Sequence, residues 1–210
     1  MRRPWSRLLA LLAASFCLCA GAADLKEGHD FRELNPPLAH DRYKIEVTEF
    51  FWYGCPHCFN LESALAPWQR KLQADVGFRR VPAIFPNNKW APGARIYYTL
   101  EAMNLLDRLH GEVFNAIHLE RKRLEDDKVM LEWLAGKGVD GKAYLAATSS
   151  FGVQSRIRQA LELTQRAGLS GVPAIVVDGR YQAITPENYS DLLTLVDRLI
   201  ERARSERVRK

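Results

Sequence analysis

The architecture of this chain can be inferred from one segment, Glu49-Phe50-Phe51-Trp52-Tyr53-Gly54-Cys55-Pro56-His57-Cys58. An apolar, aromatic run leads through a glycine to two cysteines spaced C-x-x-C. The run predicts a buried strand over residues 44–53, and Pro56 suits the first position of a helix, where a missing N–H is harmless. Two thiols at such a strand-to-helix junction can form, lose and exchange one disulfide.

The segments on either side predict more of a sheet. The helix that begins at Cys55 has a buried face at helical spacing, formed by Leu61, Leu65, Trp68 and Leu72. Pro67 lies inside this helix and is expected to kink it. The run from Phe78 to Phe85 predicts a second strand, and one edge strand is expected upstream, around Phe31.

The middle of the chain has a different pattern, helical almost throughout from about Pro92 to Leu169. Apolar residues at helical spacing predict three helices there, marked by Leu100, Met103, Leu106 and Leu109, by Val129, Trp133 and Leu134, and by Val153, Ile157, Ala160, Leu161 and Thr164. Gly168 is expected to end the third helix.

Strand character returns after this helical block. Residues 174–184 predict a hairpin that turns at Asp178-Gly179. Thr185-Pro186 is expected to cap a last helix, whose apolar face is formed by Tyr189, Leu192, Val196, Leu199, Ile200 and Ala203.

The predicted fold class is therefore α/β, with one mixed sheet. The order of elements is strand, helix, strand, helical block, hairpin and helix. We expect residues 23–88 and 160–210 to form the sheet-containing domain and residues 89–159 to form an all-helical insertion domain. The 210 residues suffice for one core with such an insertion.

The N-terminus has the pattern of a secretory signal peptide over residues 1–22. A basic start with three arginines precedes an apolar run, Leu8 to Ala20, which is too short to span a bilayer. Ala20-Gly21-Ala22 is a small-x-small cleavage site, which disfavours the alternative of an uncleaved anchor. Cleavage would remove Cys17 and Cys19, so that only the C-x-x-C pair remains, in a soluble protein of an oxidising compartment.

The charge of the chain points to no nucleic-acid partner. The full sequence has 30 basic and 25 acidic residues, and loss of the three leader arginines leaves 27 basic residues. The remaining basic cluster, Arg202 to Lys210, is expected to be a solvated C-terminal end. After the leader, no segment is long and apolar enough to cross a membrane.

The two cysteines are expected to differ in reactivity. Cys55 should lie at the helix N-terminus, where unpaired N–H groups and the helix dipole stabilise its thiolate, and His57 in the same turn adds a donor or a charge. Cys58 lies one turn further in and should be more buried. This predicts Cys55 as the attacking sulfur and Cys58 as the resolving one. Because a stabilised thiolate favours the reduced form, the disulfide should be oxidising.

A lone C-x-x-C has two other interpretations, an inert structural disulfide and a soft-metal site. A structural zinc site needs two more ligands at a recognisable spacing. The other histidines of the mature chain show no such spacing and are expected at the surface or at helix ends: His29, His40, His110 and His118. A Cu(I) site could use the two thiolates alone, so this alternative stays open.

Glu49 is an unexpected carboxylate on the predicted buried strand, since alternation places it on one face with Ile45, Val47 and Phe51. A buried carboxyl would have a raised pKa and could pass a proton to or from Cys58. Alternatively, the face is partly exposed or Glu49 pairs with an arginine.

Gly171-Val172-Pro173-Ala174 precedes a predicted strand and places a proline at its start, where the sheet requires no N–H donor. A cis bond there would leave the Val172 backbone unpaired and able to bind an extended substrate as an added strand. An X-Pro bond is cis only about one time in twenty. The sequence alone therefore does not establish the cis form.

Residues 49–51, Cys55-Pro56-His57-Cys58 and Gly171-Val172-Pro173-Ala174 together resemble the DsbA family of bacterial periplasmic thiol–disulfide oxidoreductases. The resemblance extends over essentially the whole mature chain, and the Cys-Pro-His-Cys site with a Val-Pro partner is specific to DsbA-type oxidants. It implies a thioredoxin fold interrupted by an all-helical insertion domain.

The resemblance also implies roles for single residues. Cys55 would form the mixed disulfide with substrate, Cys58 would close the internal disulfide, His57 would stabilise the Cys55 thiolate and Glu49 would be the buried acid behind the pair. Pro173 would be cis. The substrate-binding residues would be Val172, Pro173 and Pro56.

The implied partners are reduced, newly secreted proteins as substrates and a quinone-linked inner-membrane reoxidant of the DsbB type. The implied location is the periplasm, and we expect a monomer with no bound cofactor and no metal. One departure is that Arg79-Arg80 stands where some members have a lysine near the buried acid. Because arginine cannot act as a neutral base, a proton relay would depend on Glu49 and water.

Three rival functions remain. A reductase or isomerase would need a less oxidising pair and, for isomerases, usually a dimerisation domain, which is not visible before residue 44. A Cu(I) carrier and a binding protein with a structural disulfide are the alternatives from other classes.

Overall fold

A computed structural model describes residues 25–86, 89–186 and 188–209 of the chain. Five strands form one sheet in the order β1-β5-β4-β2-β3. Their bounds are β1 Phe31–Glu33, β2 Ile45–Phe51, β3 Val76–Pro82, β4 Ala174–Val177 and β5 Tyr181–Ala183. The sheet is mixed, as predicted, because β2 and β3 are parallel and the other pairs are antiparallel.

Seven helices complete the described part of the chain. Their bounds are α1 Pro56–Gln69, α2 Ala91–Ala102, α3 Leu106–His118, α4 Asp127–Gly136, α5 Gly141–Thr148, α6 Phe151–Arg166 and α7 Tyr189–Val208. Asp126, Asp140, Ser150 and Asn188 cap α4, α5, α6 and α7 by accepting hydrogen bonds from backbone N–H groups of the first turn. Within the described residues, no helix is sufficiently long and apolar to span a membrane.

Strand β2 lies between β4 and β3, and its connection to β3 is α1, so the cysteines follow the carboxyl end of a central strand. The hairpin of β4 and β5 confirms the predicted turn. Asp178 and Gly179 have φ angles of 54° and 63°, as the two central residues of a type I′ turn require, and Arg180 N donates to Val177 O at 3.0 Å across the turn. The edge strand predicted around Phe31 is β1.

Two predicted helix boundaries are wrong. The single helix expected across Leu100 and Leu109 is two helices, because Asn104 adopts φ 56° between α2 and α3. Asparagine enters this left-handed region more readily than most residues. The last helix starts at Tyr189 rather than after Thr185-Pro186, because the Asn188 side chain accepts from the Ser190 N–H.

Two further details differ from the prediction. Strand β3 ends at Pro82 rather than at Phe85, and Ala83 N donates to Phe51 O at 2.8 Å just beyond it. Helix α5 has no counterpart in the prediction because its eight residues contain too few apolar repeats to detect. Pro67 lies inside α1, two residues before its end.

The buried side chains form two clusters. One lies between the sheet and helices α1 and α7, and includes Val47, Leu61 and Val196. The other joins the sheet to α2–α6 and includes Phe51 and Cys58. The cysteine pair therefore lies where the helical block meets the sheet.

The division into domains at residues 89 and 159 stays a prediction, and its second boundary falls within α6. The predicted signal peptide, residues 1–22, lies outside the described residues.

Candidate active site

Cys55 is the N-cap of α1, as predicted, and Pro56 occupies the first turn. The Cys55 Sγ accepts from the Cys58 backbone N–H at 3.4 Å. Both cysteines are free thiols. Cys55 has 7% of its surface exposed to solvent, and Cys58 has none exposed. The predicted order of exposure is therefore correct, although Cys55 is itself largely buried.

The environment separates the proton affinities of the two sulfurs. The pKa of Cys55 is lowered to about 6, first by the hydrogen bond from the Cys58 thiol and then by the backbone N–H groups of Cys58 and His57 and the charge of His57, against the effect of burial. The same thiol–sulfur hydrogen bond, burial and the nearby Cys55 charge raise the pKa of Cys58. In the reduced site, Cys55 is the thiolate and Cys58 is the thiol that donates to it.

The loop before β4 lies against the Cys55 sulfur. The Val172–Pro173 peptide bond is cis, and the Cys55 Sγ is 3.4 Å from the Val172 carbonyl oxygen, to which it can donate only when it is protonated. Val172 and Pro173 are half-buried. The sequence left the cis form open, and the structure supplies it. A second cis bond joins Asn35 and Pro36, where no sequence motif indicated one.

A groove of about 410 Å³ runs beside this loop. It is lined by His57, Ser170, Gly171, Val172, Pro173, Ala174, Gln182, Thr185, Pro186 and Tyr189. His57 is exposed, and its Nδ1 lies 3.3 Å from the Tyr189 hydroxyl. Pro56 is exposed next to Cys55. A polypeptide lying in this groove would therefore pass the reactive sulfur.

Glu49 combines both interpretations offered by the sequence, since it is fully buried and also paired with an arginine. Arg80 Nε donates to Glu49 Oε2 at 3.0 Å, directly across the β2–β3 register. Glu49 Oε1 has no hydrogen-bond partner in the described part of the chain. The pKa of Glu49 is raised to about 8, chiefly by burial, with Arg80 opposing and the Glu62 charge reinforcing the shift.

Arg80 is shared between two carboxylates. Its Nη2 donates to Glu62 at 3.1 and 3.2 Å, and the exposed fractions of the Arg80 and Glu62 side chains are 15% and 18%. Sequence reasoning treated Arg80 only as a departure from the family and missed Glu62. A signal for Glu62 exists, because it follows Cys58 by four residues and so lies on the buried face of α1.

His110 corrects another prediction. It was expected at the surface or at a helix end, but it is only 8% exposed, and it contacts Glu62 at 3.4 Å and the Tyr53 hydroxyl at 2.8 Å. His118, also on α3, donates to the Tyr53 carbonyl oxygen at 2.8 Å. His110 belongs to the apolar stripe of α3 with Val113 and Phe114, which explains its burial.

The described residues contain no group of three or more His, Cys, Asp or Glu side chains placed to hold a metal ion. The cysteines therefore have no third ligand of this kind among the described residues. A Cu(I) ion held by two thiolates would use the cysteines alone.

Comparison with known proteins gives consistent matches. A family model described as "DSBA-like thioredoxin domain" matches residues 77–195. The thiol:disulfide interchange protein DsbA of Pseudomonas aeruginosa is 40% identical over 200 residues, which cover 92% of this chain and 93% of that protein. The DsbA of Azotobacter vinelandii is 43% identical over 190 residues, covering 87% and 86%.

Solved structures match over the same extent. The crystal structure of Pseudomonas aeruginosa DsbA has a TM-score of 0.83 and 38% identity, and the match covers 90% of this chain and 99% of that one. The oxidoreductase DsbA from Xylella fastidiosa has a TM-score of 0.80 and 31% identity, with 86% and 98% covered.

Proposed function

The chain belongs to the DsbA family, and on this premise we propose that it oxidises newly secreted proteins by donating its Cys55–Cys58 disulfide. The enzyme is a thiol:disulfide oxidoreductase with a thioredoxin-like fold. One observation carries the direction of exchange, namely the Cys55 sulfur at the N-terminus of α1 with its pKa lowered to about 6. Stabilising this thiolate stabilises the reduced enzyme, which makes its disulfide a strong oxidant.

The first step is attack on the disulfide. A thiolate of the client protein bonds to the Cys55 Sγ, the Cys55–Cys58 bond breaks, and Cys58 leaves with the electron pair. The product is a mixed disulfide between client and Cys55. Since the pKa of Cys58 is raised, the departing Cys58 thiolate takes up a proton. Glu49, buried with a pKa of about 8, is the proposed donor.

The second step releases the client. A second client thiolate attacks the client sulfur of the mixed disulfide, and Cys55 leaves as the stabilised thiolate. Counted from its dithiol, the client has lost two electrons and two protons and holds a new disulfide. The enzyme has gained the two electrons and holds the Cys55 thiolate and the Cys58 thiol, so one proton is on Cys58 and the other has gone to solvent. Cys55 leaves readily because its thiolate is stabilised, with its pKa lowered to about 6.

The groove beside the cis-proline loop is the proposed client site. Val172, Pro173 and Pro56 surround the reactive sulfur and are at least partly accessible. An extended client segment would bind the backbone of Val172 by strand addition. His57 lines this groove and contributes its backbone N–H and its charge to the stabilisation of the Cys55 thiolate.

We propose that a quinone-linked inner-membrane protein of the DsbB type returns the dithiol to the disulfide, and that the enzyme acts as a periplasmic monomer. Membership in the family supports all three. Inner-membrane vesicles with quinone should reoxidise the reduced enzyme, light scattering should give a mass near that of one chain, and the N-terminus of the periplasmic protein should be Ala23.

Redox equilibration tests the function most directly. Oxidised enzyme mixed with a reduced client should transfer its disulfide stoichiometrically, and equilibration with glutathione should give a potential well above that of a thioredoxin. The absorbance of the Cys55 thiolate should titrate near pH 6. A thioredoxin-like potential would indicate a reductase, and tight stoichiometric Cu(I) binding without client oxidation would indicate a metal carrier.

A further inference from the structure

A chain of hydrogen bonds links the carboxyl beneath the cysteines to the helical block. It runs from Glu49 on β2 to Arg80 on β3, to Glu62 on α1, to His110 on α3 and to the Tyr53 hydroxyl. All five side chains are at least four-fifths buried. Of these five residues, the mechanism above uses only Glu49, so the other four have no assigned role in it.

The chemistry of the partners fixes the protons on His110. An ionised carboxylate can only accept a hydrogen bond, so His110 Nε2 carries the hydrogen that lies between it and Glu62. Burial lowers the pKa of His110, and in the neutral ring the other nitrogen is an acceptor. The Tyr53 hydroxyl therefore donates to Nδ1, and His110 presents a fixed donor to Glu62.

The two carboxyl groups around Arg80 are not equivalent. Glu62 accepts from both Arg80 and His110, whereas Glu49 accepts from Arg80 alone and has an oxygen without a partner among the described residues. The donors to Glu62 outweigh its burial and lower its pKa, whereas burial raises that of Glu49. One guanidinium balances one carboxylate, and the second carboxyl keeps a proton.

The other titratable groups near this cluster do not alter that asymmetry. Cys55 and Cys58 on α1 face Glu49 from the active-site side. Tyr97 on α2 lies next to His110, with ring centroids 5.9 Å apart, and its own pKa is raised by burial, so it stays neutral. Apart from the shared Arg80, His110 is thus the one side-chain donor to either carboxyl within the described part of the chain, and it contacts Glu62 alone.

We propose that His110 is a positioning residue that keeps Glu62 ionised against Arg80 and so leaves the proton of the buried carboxyl pair on Glu49. This inference rests on the proposed role of Glu49 as the proton donor to Cys58. The helical block, through α3, then sets the protonation of the acid that serves the cysteines.

The position of the proton can be measured in the wild-type enzyme. Reduced protein labelled with ¹³C at the glutamate carboxyls is titrated by NMR, with Glu49→Gln and Glu62→Gln for assignment. Glu49 should be protonated and Glu62 ionised at pH 6.5, and the ¹⁵N signals of His110 should report a neutral ring with its hydrogen on Nε2. A proton on Glu62, or a hydrogen on Nδ1, would overturn the proposal.

Substitution of the histidine tests the cause. His110→Phe keeps the ring contacts with Phe51 and Phe114 and removes the donor. We expect the titration midpoint of Glu62 to rise by about one pH unit, because hydrogen bonds to charged groups are among the strong ones. The protonated fraction of Glu49 at neutral pH should fall in parallel. His110→Gln, which retains an N–H donor, should restore part of the difference.

His118→Phe is the matched control. His118 lies on the same helix and also bonds to Tyr53, but through the backbone carbonyl and without a contact to either carboxyl. Its replacement should leave both glutamate midpoints unchanged. If His118→Phe moves them as much as His110→Phe does, the effect is a general loosening of α3 and the proposal is wrong.

The exchange rate gives the functional readout. Relative to wild type at the same pH, oxidised His110→Phe should react with a thiol peptide about fivefold more slowly at pH 8 and approach the wild-type rate at pH 5.5, where Glu49 is protonated in both. An equal loss at every pH would indicate a merely structural role. If Glu49→Gln leaves the rate unchanged, the role of Glu49 fails, whereas the NMR titrations still decide where His110 places the proton.

Discussion

The two sulfurs of the active site face two very different parts of the molecule. On the outer side, Cys55 lies against the half-buried Val172–Pro173 loop and the exposed His57, beside an open groove. On the inner side, Cys58 has no exposed surface and lies near a buried carboxyl, Glu49. Two identical side chains one helical turn apart thus have pKa values shifted in opposite directions.

The different environments of Cys55 and Cys58 suit the two sides of the site to different roles. The outer side is an open groove beside the reactive sulfur, which is the proposed binding site for clients. The inner side places two carboxyls and one guanidinium out of water, an arrangement that costs desolvation energy and is stable only while the charges remain paired. In the proposed mechanism, the outer side would therefore govern attack and release, and the inner side would govern the proton.

The largest expected effect comes from removing each sulfur in turn. Cys55→Ser should abolish disulfide transfer, because the variant has no Cys55–Cys58 disulfide to donate and the remaining Cys58 is fully buried. Cys58→Ser should attack client disulfides through Cys55 and then accumulate mixed disulfides, which non-reducing electrophoresis detects. If Cys58→Ser turns over normally, or if Cys55→Ser traps clients instead, the assignment of the outer and inner sulfur is reversed.

The next largest effect should come from unpairing the inner charges. Arg80→Met removes the cation shared by Glu49 and Glu62 and should lower the free energy of unfolding by about 3 kcal/mol, measured by denaturant titration, because breaking a buried pair leaves charge unpaired. Arg79→Met is the matched control. Arg79 pairs with Glu46 at 2.9 Å with 35% of its side chain exposed, so the loss should be below about 1 kcal/mol. Equal losses of unfolding free energy in the two variants would contradict the distinction between the buried Arg80 pairs and the exposed Arg79 pair.

The pH dependence of stability should separate the two sides between pH 6.5 and 8. Cys55, with its pKa lowered from 9.0 to about 6, makes reduced enzyme more stable as pH rises, since the unfolded chain binds the extra proton. Glu49, with its pKa raised from 4.5 to about 8, makes it less stable as pH rises, since the folded chain binds the extra proton. Each slope is about 1.4 kcal/mol per pH unit.

The two slopes cancel in the reduced wild type, so its free energy of unfolding should be nearly flat in this window. Cys55→Ser should then lose stability with rising pH, and Glu49→Gln should gain it. Chemical denaturation at several pH values under reducing conditions measures all three. Parallel curves for the two variants would mean that one of the two pKa shifts is absent.

The smallest effect should come from His57 on the outer side. His57→Ala removes one charge near Cys55 but keeps the backbone N–H donors and the Cys58 thiol, which contribute first. The pKa of Cys55 should therefore rise by up to about one unit. A pH titration of the ultraviolet absorbance of the thiolate measures this rise. If the pKa of Cys55 in His57→Ala instead rose most of the way to its ordinary value of 9.0, His57 would be the dominant cause of the shift.

Local patterns in the chain were enough to predict the sheet, the strand-to-helix junction and the two cysteines in their order of exposure. The C-x-x-C spacing, the proline after Cys55 and the Asp178-Gly179 turn act over a few residues, so their consequences are visible without the rest of the fold. Strand alternation placed Glu49 among apolar residues but left its burial open, and the two motifs indicated the family.

The partners of those residues were decided only by the folded structure. Arg80 meets Glu49 because β2 and β3 pair in one register, and His110 meets Glu62 because α3 packs on α1. The closure of the Val172–Pro173 loop on Cys55 joins residues more than one hundred positions apart. Such contacts depend on strand register, packing and burial over the whole core. Local sequence patterns therefore do not indicate which charged residues, distant in sequence, become neighbours in the fold.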